Sequence, residues 1–242
     1  MLKLLTALAL LMLVSPAFAA EKTGFINKVY KNADGHESPY VVFVPHNYDG
    51  KKEVPVILFL HGSGETKGDK SGKAPVEVGI GPAIKKREKT FPFLVIIPQA
   101  EEPRGWGAKN ENAKRALAML EATTKEYKTD SKRITLSGLS MGGMGTWSLA
   151  VTYPEKWCAI VPVCGRGDVK QAEKIKDLPC WCFHGDKDAS VNVSGSRDMI
   201  AAIKKAGGNP KYTEYAGVGH NSWDKAYGTD ELYTWLLKQS KK

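Results

Sequence analysis

Residues 133–142 read Arg133-Ile134-Thr135-Leu136-Ser137-Gly138-Leu139-Ser140-Met141-Gly142. An apolar β-type run leads into a G-x-S-x-G turn, and an apolar helical pattern follows from Met141 to about Tyr153. At such a strand–turn–helix junction the serine sits in strained backbone geometry, and the glycines are required because a Cβ there would clash. The strain exposes Oγ above a sheet and aims the next N–H, that of Met141, toward a developing oxyanion. A chance Gly-Ser turn is the competing reading in a chain with 24 glycines, and the strand–helix context argues against it.

A serine so placed needs a base and a carboxylate, and both follow downstream. Phe183-His184-Gly185-Asp186-Lys187-Asp188 comes after an apolar run beginning at Cys180, so it reads as a strand end opening into a loop. Gly217-Val218-Gly219-His220 follows a second β-like run, Lys211 to Tyr215. The order Ser140…Asp188…His220 differs from those of the two common serine-protease folds. Asp186 and Asp188 compete for the orienting role. Asp188 is favoured because it lies further into the loop, leaving Asp186 to bond loop backbone as Asp does in turns. His36, His46, His61 and His184 fit surface or structural roles, and only His220 has both the Gly-flanked loop and the correct order.

The run Val54–Leu60 is apolar almost throughout, which suits a central parallel strand covered on both faces. It ends in His61-Gly62-Ser63-Gly64-Glu65. A turn of this kind supplies a second oxyanion donor, here assigned to the N–H of Ser63. A phosphate cradle fails on spacing, since no G-x-x-x-x-G-K-[ST] is present. Trp106, in Arg104-Gly105-Trp106-Gly107, follows another strand end and is expected to line the substrate pocket. Trp223, three residues after His220, is expected to pin a loop. The Gly- and Lys-rich stretch 65–81 is expected to be mobile beside the cleft.

From about Tyr40 to Leu237 the chain resembles α/β-hydrolases of the secreted phospholipase/carboxylesterase group, including dienelactone-hydrolase-like proteins and chains labelled predicted peptidases. It is also similar to single-domain feruloyl, acetylxylan and polyhydroxybutyrate esterases. The resemblance rests on Leu60–Glu65, Ile97-Pro98-Gln99, Trp106, Gly138–Gly143, His184–Asp188 and Gly219-His220-Asn221-Ser222-Trp223. It implies a Ser140–Asp188–His220 triad and a Ser63/Met141 oxyanion pair. One departure is Ser190-Val191-Asn192, where relatives often carry Val-Pro after the acidic loop.

Strand-like runs fall at about 25–30, 40–45, 54–60, 93–98, 133–137, 159–163, 180–183 and 212–215. From the third onward they alternate with helical patterns at 110–128, 141–153, 193–206 and 230–237. This predicts an α/β-hydrolase fold with a mostly parallel eight-stranded sheet, an antiparallel start and helices on both faces. The stretch 165–178, where relatives insert a cap domain, is too short to hold one, so an open active site is expected.

Met1-Leu2-Lys3, an apolar stretch to Val14 and Ala17-Phe18-Ala19 have the pattern of a signal peptide cleaved after residue 19. The stretch is shorter than the about 20 apolar residues of a membrane span. The expected product is one catalytic domain, residues 20–242, exported to the periplasm or outside the cell. The formal charge of +9 is spread along the chain without aromatic interleaving, so a solvated basic surface is expected and nucleic acid is not an expected partner. Cys158, Cys164, Cys180 and Cys182 lie in two neighbouring strand-like runs, and one bridge between strands or four buried thiols both fit. No C-x-x-C or other metal-ligand spacing appears, and no cofactor is expected.

The reading that follows is a serine carboxylic ester hydrolase acting on a small-molecule or polymer-linked ester. A serine peptidase of the prolyl-oligopeptidase type would use the same triad, but the chain leaves no room for its propeller. A non-catalytic binding protein on this scaffold would have eroded triad or oxyanion positions, and none is visible.

Overall fold

The computed structural model describes residues 23–68, 74–101 and 105–241. The expected signal peptide and Arg104 lie outside the described residues. Among the described residues eight strands form one sheet: β1 (Gly24–Lys31), β2 (Glu37–Val44), β3 (Val54–Leu60), β4 (Leu94–Pro98), β5 (Thr129–Leu139), β6 (Ala159–Val163), β7 (Trp181–Gly185) and β8 (Lys211–Tyr215). Their spatial order is β1-β2-β4-β3-β5-β6-β7-β8. β2 pairs antiparallel with both β1 and β4, and the pairs from β4 to β8 are parallel. The α/β fold class and the antiparallel start match the sequence expectation, and no cap is present among the described residues.

Six α-helices among the described residues cover the two faces: α1 (Ile80–Lys86), α2 (Glu111–Glu126), α3 (Met141–Thr152), α4 (Ser194–Lys205), α5 (Trp223–Gly228) and α6 (Asp230–Leu236). The strand pleat divides the core between them. Val56, Leu58 and Leu60 of β3 face Ala116, Met119, Trp147 and Ile200 on the side of α2, α3 and α4. Ile57 and Phe59 face Ile80, Ile84, Tyr227 and Leu236 on the side of α1, α5 and α6. Burial on both faces explains why β3 carries almost no polar residue. α2 starts where the Asn110 side chain accepts the Ala113 N–H at 3.0 Å, an N-cap that satisfies one of the orphan donors of the first turn.

Two sequence expectations are refined. The stretch 65–81 ends in α1, whose Ile80, Ala83 and Ile84 form a buried i, i+3, i+4 stripe; Pro82 is tolerated because it lies in the first turn. The last helical pattern is two helices, α5 and α6, separated at Thr229. The four cysteines are free and buried. Cys158 and Cys164 pack in the core on one face of the sheet, and Cys180 and Cys182 in the core on the other. A sheet between the two pairs prevents a bridge from one to the other. Among the described residues no helix is long and apolar enough to cross a membrane.

Candidate active site

Parallel strands end together at their carboxyl edge, and the candidate residues gather there. β5 ends at Leu139, and Ser140 follows at φ 51°, ψ −115°, a left-handed conformation rare outside glycine. Two close approaches hold it. A Cβ on Gly142 would stand 1.9 Å from the Leu60 carbonyl oxygen, and one on Gly138 would stand 2.4 Å from that of Gly142. The Ser140 N–H donates to the Val163 carbonyl at 3.0 Å, tying the turn to β6. The glycines therefore bring the end of β3 against the start of α3, and the serine takes the strain.

Ser140 Oγ lies 2.9 Å from His220 Nε2, and His220 Nδ1 lies 2.7 Å from Asp188 Oδ2. The Asp188 side chain is fully buried while that of His220 is 24% exposed, so the relay runs from the interior to solvent. Asp188 Oδ1 accepts the N–H groups of Ser190 and Val191 at 2.8 and 2.9 Å. Burial acts to raise the Asp188 pKa, but the His220 hydrogen bond and these two N–H groups outweigh it and hold the carboxyl below its ordinary value. Asp186 turns the other way and accepts the Gly217 N–H at 2.7 Å, which ties the two loops together. The Trp223 ring stands edge-on to His220, centroids 5.2 Å apart, and backs the imidazole.

The other turn sits beside Ser140: a Cβ on Gly62 would lie 3.7 Å from Ser140 Cβ. Ser63 opens a short 3₁₀ turn and Met141 opens α3. Both N–H groups belong to the first-turn donors that a helix cannot satisfy internally. The turn is held by two residues to which the sequence reading gave no role of their own. Glu65, buried, accepts the Gly62 N–H at 2.9 Å, and Gln99 donates to the Glu65 carbonyl at 2.5 Å. The S/T-x-x-E spacing of a capping box could have flagged the first, although Gly stands in place of Ser here.

Trp106 corrects the expectation of a pocket-lining side chain. It is 1% exposed, packs in the core and donates its indole N–H to the His61 carbonyl at 2.9 Å. Its ring meets His61 edge-on at 5.1 Å. An indole with an apolar body and one donor is well used where a buried carbonyl needs a partner. His61 itself is fully buried, with Nδ1 donating to Gly62 O at 2.6 Å and Nε2 accepting from the Ala100 N–H at 2.9 Å. Burial outweighs the Gly62 bond and lowers its pKa to about 4, so the ring is neutral and structural.

The fold also gathers Cys164 Sγ, a carboxylate oxygen of Asp188 and a ring nitrogen of His220 within 4.8 Å, a grouping no sequence spacing suggested. Burial, with the Asp188 charge adding to it, raises the Cys164 thiol to about 12 despite a backbone hydrogen bond from Ser140. Asp188 Oδ2 is already shared between His220 and His184. The donor set is thus committed to hydrogen bonds and a protonated thiol.

The phospholipase/carboxylesterase family model matches residues 107–230, about half of the chain. The chain belongs to this family. A second family model, BD-FAE, matches residues 42–156. The chain is 24% identical to a bifunctional acetylxylan esterase/xylanase of Neocallimastix patriciarum over 67% of its own length and 23% of that protein. Thus it spans about a quarter of that relative. It is 25% identical to a protein of Aspergillus terreus named a probable feruloyl esterase C, covering 81% of this chain and 73% of the other. The solved structure of a thermostable esterase superimposes with a TM-score of 0.79 at 31% identity, over 90% of this chain and 63% of that one.

Proposed function

We propose that this family member is a serine carboxylic ester hydrolase with Ser140 as nucleophile, His220 as general base and acid, and Asp188 as orienting carboxylate. The observation that carries the reading is the continuous relay of 2.9 Å and 2.7 Å from Ser140 through His220 to a fully buried Asp188. His220 Nδ1 donates to Asp188, which leaves Nε2 unprotonated to take the serine proton as Oγ attacks the ester carbonyl. Asp188 holds that tautomer and stabilises the imidazolium that forms. The carbonyl oxygen becomes negative and is received by the N–H groups of Ser63 and Met141; losing one such donor costs about 3 kcal/mol in comparable sites. The imidazolium then protonates the leaving alcohol, and water activated by the same histidine releases the acid. No metal or organic cofactor takes part in these steps.

The acylation site lies at a sheet edge that no cap covers among the described residues, which suits an ester whose alcohol is bulky or polymer-linked. The acetylxylan and feruloyl esterases among its relatives support that class. The pattern of residues 1–19 supports export, with residues 20–242 as one catalytic domain. The test is a panel of p-nitrophenyl esters of rising chain length, with methyl ferulate, acetylated xylan and a Pro-containing peptide amide. Turnover of esters with burst kinetics is expected. Cleavage of the amide alone would favour the peptidase reading, and turnover of none would favour a binding protein.

A further inference from the structure

His184 is a buried imidazole beside the relay that the proposed mechanism does not use. It lies near the end of β7, and its side chain, like that of Asp188, is wholly buried. Its Nε2 lies 2.9 Å from the Val191 carbonyl oxygen and 3.1 Å from Asp188 Oδ2, the oxygen that also accepts from His220 Nδ1. A carbonyl only accepts, so Nε2 carries a hydrogen, and that hydrogen also faces Asp188. On the far side Nδ1 lies 2.7 Å from Ser196 Oγ. Ser196 Oγ is also 3.1 Å from the Gly165 carbonyl and 3.3 Å from Cys182 Sγ. One hydroxyl hydrogen can serve Nδ1 or Gly165; in either setting the Nε2 hydrogen stays shared between Val191 O and Asp188 Oδ2.

We propose that His184 is a positioning residue of the relay, a second imidazole that shares Asp188 Oδ2 with His220 and weakens the hold of that carboxylate on the His220 proton. This rests on the Ser140–His220–Asp188 reading. A carboxylate with two imidazole donors is a weaker acceptor toward each, so His220 is freed as a base at lower pH than if it had Asp188 to itself. The same ring fixes the Asp188 loop through the Val191 carbonyl. Around His184 the titratable groups are Asp188 and His220 on the loops, Cys182 on its own strand, and Glu214 opposite it on β8. The Glu214 carboxylate is bound by Arg197 at 2.6 and 2.8 Å and by the Tyr212 hydroxyl at 2.7 Å. Cys164 stands on the other side of Asp188.

Two variants separate this role from packing. His184→Asn keeps an amide near Nδ1 and Ser196 but cannot reach Asp188, whereas His184→Gln carries an N–H to the Nε2 position. kcat/KM of the full chain toward p-nitrophenyl acetate is measured from about pH 5 to 9 for both, with Ser140→Ala alongside. The Asn variant should move the acid limb upward by about half a unit to one unit, a loss of roughly three- to tenfold on the acid side, with a smaller loss on the plateau. The Gln variant should move it back toward the native position. An Asn variant that inflects where the native protein does, whatever its rate or Tm, overturns the proposal. Turnover by Ser140→Ala would remove the triad reading itself, whereas an inert Ser140→Ala beside an unmoved Asn variant removes only the His184 role. Should the Asn variant not fold, nitrogen NMR of histidine-labelled native protein decides. His184 Nε2 should stay protonated and its shift should follow the titration of His220. An unprotonated Nε2, or one indifferent to His220, overturns the proposal.

Discussion

The turns after β3 and β5 and the loops after β7 and β8 are each locked at a glycine by backbone packed on backbone, but only the second pair adds acidic and imidazole side chains to the lock. On the first side a Cβ at Gly142 would stand 1.9 Å from Leu60 O, so neither strand end can move without the other. On the second side a Cβ at Gly185 would stand 2.2 Å from Val218 O, and the Lys187 N–H donates to that oxygen at 2.9 Å, whereas a Cβ at Gly219, beside His220, would meet only Lys187 O at 3.9 Å. To that lock Asp188 adds two N–H groups on one oxygen and two imidazoles on the other, and Asp186 adds a bond to the Gly217 N–H. The proposed oxyanion donors would have to stay fixed while charge develops, which interlocked backbone achieves. The proposed acid–base pair would have to hold and release a proton, which takes titratable side chains.

This contrast predicts where substitutions act. The largest effect falls on the side-chain half. Asp188→Asn should cost on the order of 10⁴ in kcat, because the amide favours the wrong His220 tautomer. Asp186→Asn should cost far less, since it loosens only the Gly217 contact. Steady-state kinetics of the two variants checks this, and a crippled Asp186→Asn beside a healthy Asp188→Asn would reverse their roles.

The backbone half should fail through stability instead. Gly142→Ala forces a backbone displacement and should cost about 4 kcal/mol or more, seen as loss of soluble protein or a large drop in Tm. Gly219→Ala has room and an ordinary φ, so its stability should change by less than about 0.5 kcal/mol. Equal losses in denaturant melts would mean that the close approach at Gly142 is not what locks that turn.

A third effect is pH-dependent. His61 has a folded pKa lowered to about 4 from an ordinary 6.5. The unfolded chain therefore takes up the proton first. The associated stability is fully present above pH 6.5 and is lost as pH falls from there toward 4, on the order of 3 kcal/mol in all. Native Tm should fall across that window more steeply than the Tm of His61→Asn. Parallel curves would mean that His61 is not held neutral by burial.

Trp106→Phe should give a smaller change than protonation of His61. It leaves the His61 carbonyl without its donor, which costs about 1–2 kcal/mol of stability. kcat should fall with KM little changed, because the ring supports the oxyanion turn and does not touch substrate. A large rise in KM with unaltered Tm would return Trp106 to the pocket.

Much of this architecture was legible because its signals are local. Near-continuous apolar runs mark the buried strands, and the glycines at 62, 138 and 142 mark strand ends that must approach closely. The chain order of Ser140, Asp188 and His220 carries the rest. What was hidden depends on contacts distant in sequence. Trp106 sits between two glycines and reads as a loop residue, yet the fold closes over it to satisfy His61. His184 and Asp188 are four apart without a helix, and only the turn drawn in by Val191 O brings them together. The cysteines share parity within each strand, but which face each strand offers depends on a register that no single strand encodes. α1 was concealed by Gly81-Pro82, which reads as a turn unless the stripe Ile80, Ala83, Ile84 is known to be buried.

The central claim, that Ser140 is the nucleophile activated by His220, is tested most directly by mass spectrometry of the intact protein after exposure to a fluorophosphonate ester. One adduct per chain should form, peptide mapping should place it on Ser140, and Ser140→Ala should take up none while keeping the native Tm. Labelling on another residue, or an unlabelled native protein that still hydrolyses esters, would contradict the account.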